Sequence, residues 1–114
     1  MKQERFEKLT EAICDRVKST LARKKAEYNL TDDRLDVFKK AARRQMITPQ
    51  QALLGYMDKH IGSIYDYIHE NSDISPELLS EKVVDSIDYL ILLYALYDDE
   101  LFSKKDMINT KEEK

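Results

Sequence analysis

Glu81, Asp85 and Asp88 stand at positions i, i+4 and i+7 of one stretch, "EKVVDSIDYLILLYALYDDELF". On a helix this spacing puts three carboxylates on one face. Three such charges within two turns repel one another unless a cation or basic side chains meet them. An oxygen-only cluster suits Mg²⁺ or Mn²⁺. The same spacing equally describes a solvated face, or one that salt-bridges to basic groups elsewhere. Asp66 adds a fourth carboxylate if the third and fourth helices form an antiparallel hairpin. The candidate metal set is therefore Asp66, Glu81, Asp85 and Asp88, with Mg²⁺ as the ion.

A second constellation lies upstream. Lys59, Ser63 and Asp66 are again at i, i+4 and i+7, with Asp58 and His60 beside them. Lys59 has the chemistry to bind a phosphate or to neutralise Asp88. His60 and His69 are the two histidines and Cys14 is the single cysteine, which argues against a zinc site and a Cys–His nucleophile. The chain has no G-x-x-x-x-G-K-[ST] loop and no G-x-G-x-x-G turn. Arg23, Lys24, Lys25, Lys39, Lys40, Arg43 and Arg44 make a basic zone, and Tyr28 lies close enough to stack on a base or donate to a phosphate. Lys25, Tyr28, Lys59 and His60 are the candidate anion-binding residues. The alternative is a basic face paired with the acidic half of the chain. No catalytic residue is assigned.

Helices must position these groups. Phe6, Leu9, Ile13, Val17 and Leu21 recur at spacings of 3, 4, 4 and 4, predicting a first helix from Gln3 to Glu27. Thr31 reads as the N-cap of a second helix, with Asp32 and Asp33 in its first turn and Arg43 and Arg44 near its end. Leu35, Phe38 and Ala42 form its apolar stripe. Thr48, Pro49 and Gln51 spell the start of a third helix as N-cap, first position and capping box. Its expected inner stripe is Leu54, Met57, Ile61, Ile64 and Ile68. Gly55 and Gly62, seven apart, suggest either close approach of a neighbour or simple tolerance. Ser75 and Pro76 start a fourth helix that runs to Phe102. Its middle, "YLILLYALY", is apolar on every side, as in a helix buried in a bundle or shared with a partner chain. The tyrosines Tyr65, Tyr67, Tyr89, Tyr94 and Tyr97 sit on these last two helices and suit core packing, interfaces or pocket rims.

The totals agree with a single all-α domain over 1–102 and a polar tail over 103–114. Of 114 residues, 42% are hydrophobic and 36% charged, with only two glycines and two prolines to make turns. The net charge of −3 hides an asymmetry. Residues 1–45 carry 13 basic and 8 acidic side chains, and residues 46–114 carry 6 and 14. Such halves can pair within one molecule or between copies. A pI near 5.4 disfavours general duplex nucleic-acid binding. The charged start carries no signal-peptide pattern. The longest apolar run is nine residues, against about 20 for a membrane span. The expectation is a cytoplasmic protein that forms a dimer or larger homo-oligomer through the third and fourth helices and has no membrane partner.

"RKKAEY", "DDRLDVFKKAA", "TPQQALLGYMDKHIGSI" and "EKVVDSIDYLILLYAL" together resemble a group of small phage and prophage proteins. These are similar to the nucleotide-modification-associated helical domain, which in turn looks like a relative of the all-α MazG-like nucleotide pyrophosphohydrolases. The resemblance covers Arg23 to Leu96. It implies an oligomeric helical bundle, a nucleotide ligand and, for a phage-encoded chain, the host cytoplasm. The "D-x-x-D-Y" of Asp85, Asp88 and Tyr89 follows the nucleotide-modification-associated pattern, and Lys25 and Tyr28 match the "K-x-x-Y" that precedes it. In the MazG-like enzymes an E-x-x-E pair and an E-x-x-D pair bind Mg²⁺. Anchored on Asp85 and Tyr89, that second motif finds Lys82 where its glutamate belongs. The first falls near Ser63 and Asp66, so one of its acids becomes serine. Asp66 and Asp85 remain, with Glu81 and Asp88 as substitutes. A lysine in place of a carboxylate opposes a two-cation site.

Three functions follow as expectations. The first is a phage-type accessory protein that binds a nucleotide or phosphate-bearing partner without turning it over. The second is a protein-interaction module that inhibits a host defence or replication factor. The third is a Mg²⁺-dependent nucleotide pyrophosphohydrolase, which the degraded acidic motifs disfavour.

Overall fold

The computed structural model describes the backbone of residues 1–28, 33–70 and 75–112, with side chains in these segments except at 24–28 and 105–112. It is an all-α bundle of four helices: α1 (Gln3–Tyr28), α2 (Asp36–Gln45), α3 (Pro49–Glu70) and α4 (Pro76–Glu112). The described residues contain no strand.

Helix α4 is the spine. It packs on α3 and on α1, while α2 packs on α3. Gln50, at the start of α3, bonds Glu100 far along α4, and His60, mid-α3, lies against Asp85 and Tyr89. Helices α3 and α4 are therefore antiparallel. Arg16 bonds Ser80 and Thr20 bonds Asp88, so α1 and α4 run in the same direction.

The starts of α3 and α4 are fixed locally. The Thr48 hydroxyl accepts the Gln51 N–H at 3.1 Å, and the Gln51 side chain accepts the Thr48 N–H at 2.9 Å. This is the reciprocal capping box that the sequence predicts. The Ser75 hydroxyl caps the Leu78 N–H at 3.1 Å in the same way. Helix α2 departs from expectation, because it begins at Asp36 with Leu35 at the N-cap and no side-chain cap. Asp33 lies before the helix, where its carboxylate accepts the Leu35 N–H at 3.0 Å. A short acidic side chain bonding two residues on favours a turn over a first helical turn. The expected Thr31 cap and Asp32 fall outside the described residues. Helix α2 ends on Met46, in the left-handed region at φ 57°.

Among the described residues, buried side chains gather in two clusters, with Val17, Met57 and Val84 buried beside them. Leu35, Phe38, Leu53, Leu92 and Leu96 form one, with Leu21, Tyr89, Leu93 and Ala95 against it. Ala41, Ala42 and Ala52 form the other. Their small side chains let α2 and α3 approach closely. Both clusters together set which side of α3 is covered. The covered side carries Leu53 and Met57, whereas Leu54, Ile61 and Ile68, expected on the inner stripe, are exposed. A Cβ added at Gly55 or Gly62 would meet nothing within 4 Å. Among the described residues, then, neither glycine serves a close approach.

Two further differences concern helix ends. Helix α4 continues past Phe102 to Glu112, through most of the expected tail. Every described side chain from residue 1 to 12 is exposed, including Phe6 and Leu9 of the α1 stripe. Val17 is the first of that stripe to be buried. The molecule is accordingly long, 60 × 36 × 26 Å, with a radius of gyration of 17.8 Å. A compact chain of this length has about 13 Å.

Candidate functional site

A polar seam crosses the bundle where α1, α3 and α4 meet, and Asp88 is its deepest member. Its side chain is 0% exposed. Thr20 of α1 donates its hydroxyl to Asp88 Oδ2 at 2.6 Å, and its oxygen also lies 3.1 Å from the Val17 carbonyl. A bond to a carboxylate is the stronger type. Asp88 occupies the core-facing stripe of α4, one turn after Val84 and one before Leu92, both buried. An apolar residue would be expected in that position. Burying a carboxylate is costly unless its partners are well arranged, so such a residue in a small core marks a functional candidate.

One turn back towards the start of α4, Asp85 is half-buried. His60 of α3 faces it, with Nδ1 3.9 Å from Asp85 Oδ2. That is ion-pair distance for a protonated ring and too long for a hydrogen bond. The His60 ring also packs on Tyr89, at 5.5 Å between centroids.

Above the seam opens a cleft of about 500 Å³ between α1 and α4. Arg16, Ser19, Thr20 and Arg23 line the α1 wall, and Glu77, Glu81 and Asp85 the opposite one, with Val84 at the floor. Arg16 reaches across to donate to Ser80. The cleft has cations and hydroxyls on one side and carboxylates on the other. It suits a ligand that offers an anion to the arginines and donor hydroxyls or amines to the acids.

The predicted acidic face is thus real, and it is the face that meets α1. Its members differ sharply in depth: Glu81 is exposed at the cleft rim, Asp85 intermediate and Asp88 enclosed. Asp66 is exposed on α3. Among the described residues, no group of three or more His, Cys, Asp or Glu side chains is placed to hold a metal ion. The four acids Asp66, Glu81, Asp85 and Asp88 are therefore not gathered at one point: Asp66 is exposed on α3, and the other three lie at different depths along α4.

Of the anion set, His60 joins the seam and Lys59 is exposed on α3. Lys25 and Tyr28 lie on the last turn of α1, and their side chains fall outside the described ones. The basic zone is divided. Lys39 is held by Asp33 at 2.7 Å and by Asp99 of α4 at 3.1 Å. Lys40 pairs with Asp36 at 3.0 Å. Lys39 and Asp99 join the basic and acidic halves within one chain. Sequence reasoning missed Arg16, Ser19 and Thr20. One signal was available for Thr20, which follows Val17 by three on the α1 stripe and therefore faces inward.

No protein-family model, no curated protein and no solved structure matches this chain. Among the described residues, no helix is long and apolar enough to cross a membrane.

Proposed function

We propose that this protein is a binding module that takes a nucleotide or other phosphate-bearing partner in the α1–α4 cleft without turning it over. The observation that carries this reading is a wholly buried carboxylate, Asp88, tied to Thr20 beneath a cleft bordered by two arginines. Arg16 and Arg23 would meet the phosphate, and Glu77 and Glu81 would accept from ribose hydroxyls or base amines. The resemblance of Arg23–Leu96 to nucleotide-modification-associated proteins of phages supports the same reading, and for a phage-encoded chain it implies the host cytoplasm.

Turnover is the reading the geometry supports least. A Mg²⁺-dependent pyrophosphohydrolase needs several carboxylates converging on one point, and Lys82 stands where its motif needs a glutamate. The interaction-module reading rests on a different observation, the exposed carboxylates of Asp98 and Glu100 on α4. That acidic end offers a basic host protein a docking point.

A thermal-shift screen of nucleotides, with and without Mg²⁺, separates the three. A bound nucleotide raises Tm with concentration by mass action. The shift should shrink in Arg16→Ala and in Arg23→Ala. No shift at millimolar ligand would remove the nucleotide reading. Release of pyrophosphate from any nucleotide would restore the enzyme.

A further inference from the structure

The cleft between α1 and α4 is short of positive charge. Two cations, Arg16 and Arg23, stand on the α1 wall, and three carboxylates, Glu77, Glu81 and Asp85, stand on the other. Arg16 already gives one N–H to Ser80. Thr20, also in the α1 wall, adds no donor. Asp88 Oδ2 at 2.6 Å and the Val17 carbonyl oxygen at 3.1 Å are both acceptors, so the Thr20 proton stays inside the protein. Its oxygen offers the cleft only a lone pair. The α4 side of the cleft therefore accepts hydrogen bonds, and anion binding falls to the two guanidinium groups.

At neutral pH a phosphate monoester carries about −1.5 to −2 charges. Two guanidinium groups can match that charge with paired hydrogen bonds. Each further phosphate of a nucleotide adds another negative charge. Among the described residues of the walls no third cation meets it, and carboxylates face it across the cleft. Like charges held a few ångströms apart repel, and such repulsion is a means of rejecting a competing ligand. Size does not select in the same way, because the cleft of about 500 Å³ falls within the range of small-molecule sites.

We infer that the cleft takes nucleoside monophosphates and rejects the triphosphates of the same nucleosides, with the acidic wall of α4 as the discriminating element. This rests on the reading of the cleft as a nucleotide site, and it adds the number of phosphates and the cause of the choice. The phosphate lies against Arg16 and Arg23. The ribose hydroxyls and base amines, which are donors, meet Glu77, Glu81 and Asp85.

The test is calorimetric titration of the full chain at neutral pH, in EDTA so that no divalent cation masks the phosphates. The probes are the mono- and triphosphates of the common ribonucleosides. The best monophosphate should bind about tenfold or more tighter than its triphosphate. Glu81→Gln keeps an acceptor oxygen and removes a charge. It should tighten triphosphate binding about threefold or more and change monophosphate binding less, so that the gap narrows. Glu77→Gln should act in the same direction, and it serves if the first variant fails to fold. Glu4→Gln, at the exposed start of α1, should leave both affinities unchanged. Added salt should narrow the gap by screening. A triphosphate that binds as tightly as its monophosphate, and is weakened by Arg16→Ala and Arg23→Ala, would overturn the inference and leave the cleft reading standing. A gap that both glutamine variants leave intact would also overturn it, since the acidic wall would not be the cause. If no nucleotide binds at millimolar concentration, or if neither arginine variant weakens binding, the cleft reading and this inference fail together.

Discussion

Thr20 and Asp88 are 68 residues apart in sequence and 2.6 Å apart in space. One hydroxyl on α1 thereby stabilises a carboxylate enclosed in α4, and it ties the first helix to the spine of the bundle. Among the described residues, Val17, Leu21, the Arg34 bond to the Leu21 carbonyl and the Arg16 bond to Ser80 also hold α1.

Thr20→Val keeps the shape and removes the donor. It should cost about 2 kcal/mol, because a buried charged acceptor loses its bond. Urea unfolding at fixed protein concentration measures this. Thr20→Ser should recover most of the loss. A Val variant as stable as the wild type would mean that Asp88 does not depend on this contact.

Leu53 is 0% exposed at the centre of the larger core cluster. Leu53→Ala should cost about 2–5 kcal/mol through lost burial and the cavity left behind. In so small a core that is a large share of the 5–15 kcal/mol by which domains are usually stable. Helicity at 222 nm should fall at room temperature, and a variant melting within a degree or two of the wild type would contradict this packing.

The capping box offers a milder probe. Thr48→Ala removes the acceptor of the Gln51 N–H. The expected loss is about 1 kcal/mol. Thr48→Asp should hold stability near the wild-type level, since aspartate caps equally well. Equal melting of all three proteins would show that α3 does not need its cap.

Lys39 gives a pH signature. Its hydrogen bond holds the Asp33 carboxyl below the ordinary 3.8, with help from the Leu35 N–H. The folded chain therefore binds that proton less tightly than the unfolded one. Stability from Asp33 is present above about pH 4 and is lost as pH falls through the lowered folded value. The Asp33 bond raises the Lys39 ammonium above 10.5, and Asp99 adds to this. Its contribution is complete below about pH 10.5 and is lost as pH rises through the raised value. These groups are partly exposed, so Lys39→Met should cost only about 0.5 kcal/mol near neutrality. The gap in Tm between variant and wild type should close towards pH 2. A gap that stays constant down to that pH would refute the link.

Met46 offers a test of backbone strain. It is 92% exposed and sits at φ 57°, where a Cβ is strained. Met46→Gly should raise stability by about 0.5–1 kcal/mol, and Met46→Ile should lower it by more. Chemical denaturation of the pair decides the sign.

The sequence by itself determined what depends on near neighbours. Helix class, the Thr48–Gln51 box, the Ser75 cap and the shared face of Glu81, Asp85 and Asp88 all follow from spacings of three, four and seven residues. The α2 start failed even at this range, since Asp33 could either cap a helix or close a turn. Tertiary structure alone decided which apolar face is covered. Leu53 and Leu54 are equally apolar, and packing against Leu35, Phe38, Leu92 and Leu96 selects the Leu53 side of α3. It also decided the depth of each acid. Glu81 and Asp88 share a helix face, yet one lies on a cleft rim and the other is sealed beneath Thr20. Periodicity ranks positions around a helix axis, but burial depends on what lies opposite, and that is set by residues far away in the chain.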